Sequence, residues 1–327
     1  MTLLARRGAA LAAALMSTAL VLTACGGGAA QEPAAPAAET RTVQAGNGAV
    51  VVPAAPRRVA TIGNTTLPFI DLGGKPIAVT AESDSDVARL PAEQQATYSS
   101  ATILASSADE VDMEQLAGLK PDLILVQVPE SEFESLKAQL TAIAPTVYYS
   151  LDAEWKELAD GVADAGNVTG ALSEQKAEFE QRRTALQQRY RSIIDGTTFV
   201  DVTRYSSSDP GTFAIADIGC SEIARDEVGL NLPRAAEGAD PLAWTALPFE
   251  QIGELSKYDV ITYPVDAAGK PTEPFVPVVE TNTWKALPEV TSGNAVGVFC
   301  PGNNSYGSVI RYLESLDGAL ATLPARG

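Results

Sequence analysis

The chain has 327 residues, 46% of them hydrophobic and 20% charged, which suits two domains or one bilobed body around a sizeable core. Its formal net charge is −18, from 23 Lys and Arg against 41 Asp and Glu, and such a body repels phosphate backbones, so no nucleic-acid partner is expected. There is no histidine, which excludes Ser-His-Asp and Cys-His catalysis and any histidine metal cage, and the three cysteines are too few for a four-cysteine metal site.

In chain order, Arg6 and Arg7 precede an uncharged Ala- and Leu-rich run from Gly8 to Ala24, which ends in Leu22-Thr23-Ala24-Cys25 before three glycines. This resembles a bacterial lipoprotein signal with its lipobox. The resemblance implies cleavage after residue 24 and acylation of Cys25, with palmitate-type chains holding the protein on the extracytoplasmic face of the cell membrane. An ordinary signal peptide with an incidental cysteine is the alternative. Residues 25–45 read as the lipidated cysteine and a flexible, Pro-containing tether.

Residues 46–151 read as an α/β lobe. Arg58–Ile62 is a strand, Asn64 and Thr65 lead into a helix at Leu67-Pro68, and Gly73-Gly74 close it. Asp112 caps a helix with Leu116 and Leu119 on one face, and Asp122–Val126 is an apolar strand suited to a covered parallel sheet. A helix near 131–143 and a strand at Thr146-Val147-Tyr148 follow. Residues 152–195 read as a connecting helical segment. Phe179, Leu186, Tyr190 and Ile193 share one face of a helix spanning 173–194, long enough to act as a strut between lobes. Residues 196–327 restart the strand-and-helix alternation as a second α/β lobe, with strands near 198–203, 211–215, 260–263 and 295–299 and a last helix from about Tyr306 to Leu320. The unit Met113-Glu114-Gln115-Leu116 before one strand is echoed by Phe249-Glu250-Gln251-Ile252 before another.

Together PRRVATIG, DMEQLAGLKPDLILV, LKAQLTAIAPTVYY, FEQIGELSKYDVITY and NTWKALPEVTSGNAVGVF resemble, in order, the class III solute-binding lipoproteins of ABC importers in the iron-siderophore and cobalamin group. The resemblance implies two Rossmann-like lobes bridged by one rigid α-helix, a ligand cleft between them and only small lobe motion. It implies a membrane permease with its ATPase as partner, a monomer, no cofactor, no metal site of the protein's own and no catalysis. It also implies a surface glutamate on each lobe for permease docking, a role that falls on Glu114 and Glu250. The cargo it implies is a ferric siderophore, with haem or cobalamin as alternatives. A serine-hydrolase reading finds only the S-x-x-K of Ser173–Lys176, with no K-T-G, and the serine suits a helix cap better.

Ligands of open α/β sheets bind beyond the carboxyl ends of the strands. Those ends nominate Asn64, Thr65, Gln127 and Tyr149 in the first lobe and Arg204, Tyr205, Tyr263, Asn304 and Tyr306 in the second. Arg204 is the first choice, since a guanidinium fork matches chelate oxygens, and pairing with Asp209 or Asp217 is its alternative role. Packing at a strand end is the alternative for each tyrosine. Cys220 and Cys300 can close an 80-residue loop as a disulfide in an oxidising compartment, or remain two buried thiols.

Overall fold

The computed structural model describes residues 39–204, 211–234, 245–301 and 305–323. Residues 38–327 form one compact unit, and residues 1–37 are a separate one. The signal segment, Cys25, Tyr205 and Asn304 lie outside the described residues. Among the described residues no helix is long and apolar enough to cross a membrane.

The body opens with a hairpin, β1 (Thr40–Ala45) and β2 (Gly48–Pro53). Thr40 to Ala45 therefore belong to the folded body and not to the tether. Val43 and Val52 enter the core, and the turn docks on the first lobe. Gly46 N–H donates to Tyr148 O (2.8 Å), and the Asn47 amide both donates to Thr146 O and accepts from Tyr148 N–H. The hairpin turn thereby occupies polar groups on an outer strand.

The first lobe is a five-stranded parallel sheet in the order β5-β4-β3-β6-β7, from β3 (Val59–Gly63), β4 (Ala78–Val79), β5 (Thr102–Ile103), β6 (Leu123–Gln127) and β7 (Thr146–Tyr149). β6 is buried along its length because helices cover both faces, which its unbroken apolar run requires. The helix at Met113–Gly118 is capped as its sequence suggests, with Asp112 Oδ1 accepting from Glu114 and Gln115 N–H. Its echo differs: Phe249–Lys257 is a 3-10 helix without a side-chain cap, entered from Pro248.

The second lobe is a mixed sheet in the order β10-β9-β8-β11-β12, from β8 (Phe199–Thr203), β9 (Thr212–Ile215), β10 (Thr245–Pro248), β11 (Val260–Val265) and β12 (Ala295–Phe299). β8, β11 and β12 run parallel, while β9 and β10 are antiparallel to their neighbours. Cys220 and Cys300 form a disulfide between the short helix after β9 and the end of β12.

Helices Trp155–Gly166 and Thr169–Arg189 connect the lobes. The second is the strut: 21 residues, roughly 31 Å. It begins four residues before the expected start and stops at Tyr190, where the phenol donates to Asp317 Oδ1 and a new helix, Arg191–Gly196, sets off. The strut buries Leu172, Phe179 and Leu186 against the C-terminal helix, Tyr306–Ala321. One apolar cluster runs from Val59 and Leu123 of the first lobe, through this helical layer, to Phe199 and Val260 of the second. A polar pin reinforces it. Asp71, at the end of helix Thr66–Asp71, is 7% exposed, and its carboxylate accepts from Gln94, Ser305 and Arg311 (3.0, 2.6 and 3.0 Å). It lies against Gly307 in the first turn of the C-terminal helix, where a carboxylate is favoured by the helix dipole.

Candidate functional site

The strand order of the first lobe reverses at β3, which has β4 on one side and β6 on the other, and a crevice opens at such a switch point. Gly63 ends β3 at φ +66°, a conformation glycine adopts freely, and a Cβ there would strike Gln127 O. Its N–H donates to Thr80 Oγ1 (2.8 Å). Asn64 follows, exposed at the tip, with its N–H on Gln127 O (3.1 Å). Thr65 turns inward instead, fully buried, with its hydroxyl shared between Ile62 O and Leu125 O. Gln127 is also buried, and its amide donates to Ser150 O (2.8 Å), tying the tip of β6 to that of β7.

Tyr149 ends β7 but points into the core, against Gly161, where any Cβ would meet its ring. Burial, and then the nearby Asp164, push its hydroxyl pKa well above the ordinary phenol value. Glu82, just beyond β4, lies in the strand-end stretch Thr80–Glu82 that the sequence places on the cleft, although it is not among the residues nominated for contact. It is half-buried, its N–H donates to the Tyr98 hydroxyl (2.8 Å), and its carboxyl pKa is pushed from 4.5 up to about 7. Burial is the main cause, Asp86 adds to it, and a hydrogen bond with Thr66 opposes it. The available signal was a carboxylate directly after an apolar strand at the switch point.

In the second lobe Arg204 ends central strand β8, yet only 8% of it is exposed. One Nη1–H donates to Pro274 O (3.0 Å), and the guanidinium lies 5.9 Å from the Phe249 ring centre. Asp217, its suggested partner, pairs with Arg225. Tyr263 is not at a strand end, because β11 runs on to Val265. Its ring stacks on Phe275 (5.8 Å) and meets Trp284 edge-on (5.6 Å). It also lines a groove of about 850 Å³ along the edge of β12, with Asp266, Phe299, Arg311 and Glu314. That groove runs along the strand edge from Gly293 and Ala295 to Val265, Phe299 and the loop after β11.

Beneath the tips of β8, β11 and β12 lies a cavity of about 50 Å³, lined by Asp201, Ser221, Thr262, Tyr312 and the disulfide. Asp201 accepts hydrogen bonds from Ser221 and Thr262, and burial raises its carboxyl pKa from 3.8 to about 6 against their effect.

Segments that follow strands of the two lobes meet on the strut. Trp155, just after β7, packs on Tyr306, just after β12 (4.9 Å), and both pack on Phe179 at mid-strut (5.5 and 5.7 Å). Lys156 Nζ lies over Trp155 and Phe179 and pairs with Glu227 of the second lobe (2.6 Å). Tyr306 is thus part of an aromatic floor joining lobes and strut. Its hydroxyl is pushed up to about 12, by burial first and then by Asp160. Of the nominated residues, Asn64 stands exposed at a tip. Thr65, Gln127, Tyr149, Arg204, Tyr263 and Tyr306 hold the walls and floor together. Glu114 and Glu250 are exposed at the starts of corresponding helices in the two lobes.

Known proteins share this arrangement. The profile of a family described as periplasmic binding protein matches residues 59–262. No curated protein sequence matches the chain. Among solved structures, the siderophore periplasmic binding protein from the fuscachelin gene cluster of Thermobifida fusca is 25% identical. It superposes with a TM-score of 0.69 over 83% of this chain and 99% of its own. Staphylococcus aureus SirA, solved with staphyloferrin B, is 19% identical (TM-score 0.63, 86% and 99%). The catecholate-siderophore binding protein VctP of Vibrio cholerae is 17% identical (TM-score 0.62, 86% and 99%). At those two identities the likeness is one of fold.

Proposed function

The chain belongs to the periplasmic binding protein family, and from that premise we propose that it captures a ferric siderophore between its lobes and delivers it to an ABC permease. The observation that carries this reading is the meeting of the segments after β7 and β12 on the strut, at the Trp155–Phe179–Tyr306 cluster. The Thermobifida fusca protein, alike over nearly its whole length, is a siderophore binder and supports the same cargo class. With no histidine to hold a bare transition metal, a chelate that already satisfies its iron suits such a cleft better than a free cation. The proposed contacts are Asn64 and Glu82 from the first lobe. Tyr205 and Asn304 join them on their sequence positions after β8 and β12. Arg204 acts by fixing the 272–275 loop behind the cleft.

The rest of the proposal rests on sequence and family. Cys25 carries the lipid anchor on the extracytoplasmic face of the cell membrane. Glu114 and Glu250, one on each lobe, meet the permease. The protein acts as a monomer and performs no catalytic step.

Trp155 supplies a reporter in the cleft floor. Titration of its fluorescence with ferric hydroxamates, ferric catecholates, ferric citrate, haem and cobalamin tests the reading. Saturable quenching by one class of ferric chelate, and none by its iron-free form, is the expected result. Response to haem or cobalamin alone would replace the cargo, and response to none would reject the reading.

A further inference from the structure

We propose that the cargo is a neutral or positively charged chelate, such as a ferric trihydroxamate with an ammonium arm, and that the cleft disfavours strongly anionic tricatecholates. This deepens the chelate reading above and rests on it. Acidic side chains set the electrostatic potential inside the cleft.

The first lobe is polarised along its strands. Its sheet is parallel, so residues preceding strands gather at one pole and residues following them at the other. Arg57 and Arg58 precede β3, Lys75 precedes β4 and Lys120 precedes β6. All four therefore lie at the pole away from the cleft. At the cleft pole stand Glu82 and Asp84 after β4, Glu130 and Glu132 after β6, and Asp152 and Glu154 after β7. Among the described residues none of these six has an ion-pair partner, and Arg89, nearby, pairs with Asp86.

The second lobe does not supply the missing positive charge. Arg225 pairs with Asp217 and Asp226, and Arg234 also pairs with Asp226. Lys156, on the floor, pairs with Glu227. Arg204 is turned into the lobe, onto Pro274 and Phe249. Lys270, after β11, shares its loop with Asp266 and Glu273. The segments 205–210 (YSSSDP) and 302–304 (GNN) contain no Lys or Arg in their sequence.

A second observation points the same way. Glu222 of the second lobe feels the charge of Glu154, which follows β7 of the first. Its carboxyl pKa is raised by burial first and by Glu154 next, with Arg225 opposing. Like charges close enough to act on one another repel, and a cationic group nearby relieves that repulsion. An anionic complex would add to it. A cleft lined by one sign of charge within low-dielectric walls concentrates ligands of the opposite sign and excludes those of its own.

The test is a matched series on the purified protein: a linear ferric trihydroxamate with a free terminal ammonium, the same complex N-acetylated to neutrality, and a ferric tricatecholate. The cationic complex is expected to bind at least as tightly as the neutral one, and the tricatecholate roughly tenfold or more weakly than both. Raising salt from about 20 to about 300 mM should weaken the cationic complex and leave the neutral one unchanged. The triple variant Glu130→Gln, Glu132→Gln, Asp152→Asn should erase most of the difference between the matched hydroxamates, with the neutral complex reporting that the fold is intact. Tighter binding of the tricatecholate, or a preference indifferent to salt and to the variant, would overturn the charge inference while leaving the chelate reading standing. Failure of every complex to bind would overturn both.

Discussion

The two lobes share a plan and differ in how they treat polar groups at their strand tips. The first has an all-parallel sheet, and its tip carboxylates at Glu130, Asp152 and Glu154 are left in solvent without partners among the described residues. The second has a mixed sheet. Its acids are largely engaged, Asp217 and Asp226 by arginines and Asp201 by two hydroxyls, over a disulfide that ties the helix start to the last strand. The first lobe thus leaves its tip acids unpaired, while the second adds covalent and ionic ties near its strand tips. On the charge proposal above, selectivity rests on the first lobe, while the disulfide and ion pairs stabilise the second.

Reducing the disulfide should expose that difference most strongly. Cys220 and Cys300 are 80 residues apart in sequence, and opening a loop of that size costs about 4 kcal/mol in the chain-entropy account. The double substitution Cys220→Ser, Cys300→Ser should lower the urea midpoint accordingly. Hydrogen exchange should quicken in β8, β11 and β12 and stay unchanged in β3 and β6. Equal quickening in both lobes would mean that they unfold as one unit, as the shared apolar cluster permits. The next effect concerns that union. Asp71→Ala removes the acceptor of Gln94, Ser305 and Arg311 and leaves a largely buried guanidinium without its carboxylate, at a cost of about 3 kcal/mol. Asp71→Asn, which keeps one acceptor oxygen, should cost less. If the alanine variant were as stable as the parent, the apolar cluster alone would hold the lobes together.

The helix and strand alternation was legible because period and punctuation agreed. Asp112 capped the helix it preceded, and the unbroken apolar run Leu123–Val126 became a strand buried along its length. The hairpin was legible too and was passed over: Asn47-Gly48 between alternating apolar residues is a turn signal, masked by the small-residue segment before it. Positions at strand tips were read correctly more often than directions. Tyr149 and Tyr306 follow or end strands, yet both turn into the core, since helices cover both faces of each sheet and a tip residue can point at either layer. Tyr263 was displaced from the tip by two further strand residues. The acids after β4, β6 and β7 could be placed from sequence alone, because a parallel sheet fixes which end follows a strand. Their lack of partners could not, since Arg225 and Lys156 find their carboxylates only in three dimensions.

The smallest expected effect compares one buried acid from each lobe. Glu82 and Asp201 both titrate above their ordinary values, at about 7 and about 6, with burial the main cause in each. The native state therefore holds these protons more tightly than the unfolded chain does. Their stabilising effect is complete below the unfolded values, 4.5 and 3.8, and is lost as pH rises through the folded ones. Each loss is on the order of 1–2 kcal/mol, since one unit corresponds to about 1.4 kcal/mol and partial solvent access reduces the rest. Glu82→Gln should flatten the stability profile between about pH 5 and 7, and Asp201→Asn should flatten it between about pH 4 and 6. The two acids part company when ligand is present. A cationic chelate beside Glu82 favours its ionised form, so binding near pH 7 should release a proton to buffer, and Glu82→Gln should abolish that release. Asp201 lies beneath the second lobe's tips and should contribute none. Calorimetry in two buffers of different ionisation enthalpy separates the outcomes, and proton release that survives Glu82→Gln would move the responsive acid to another part of the cleft.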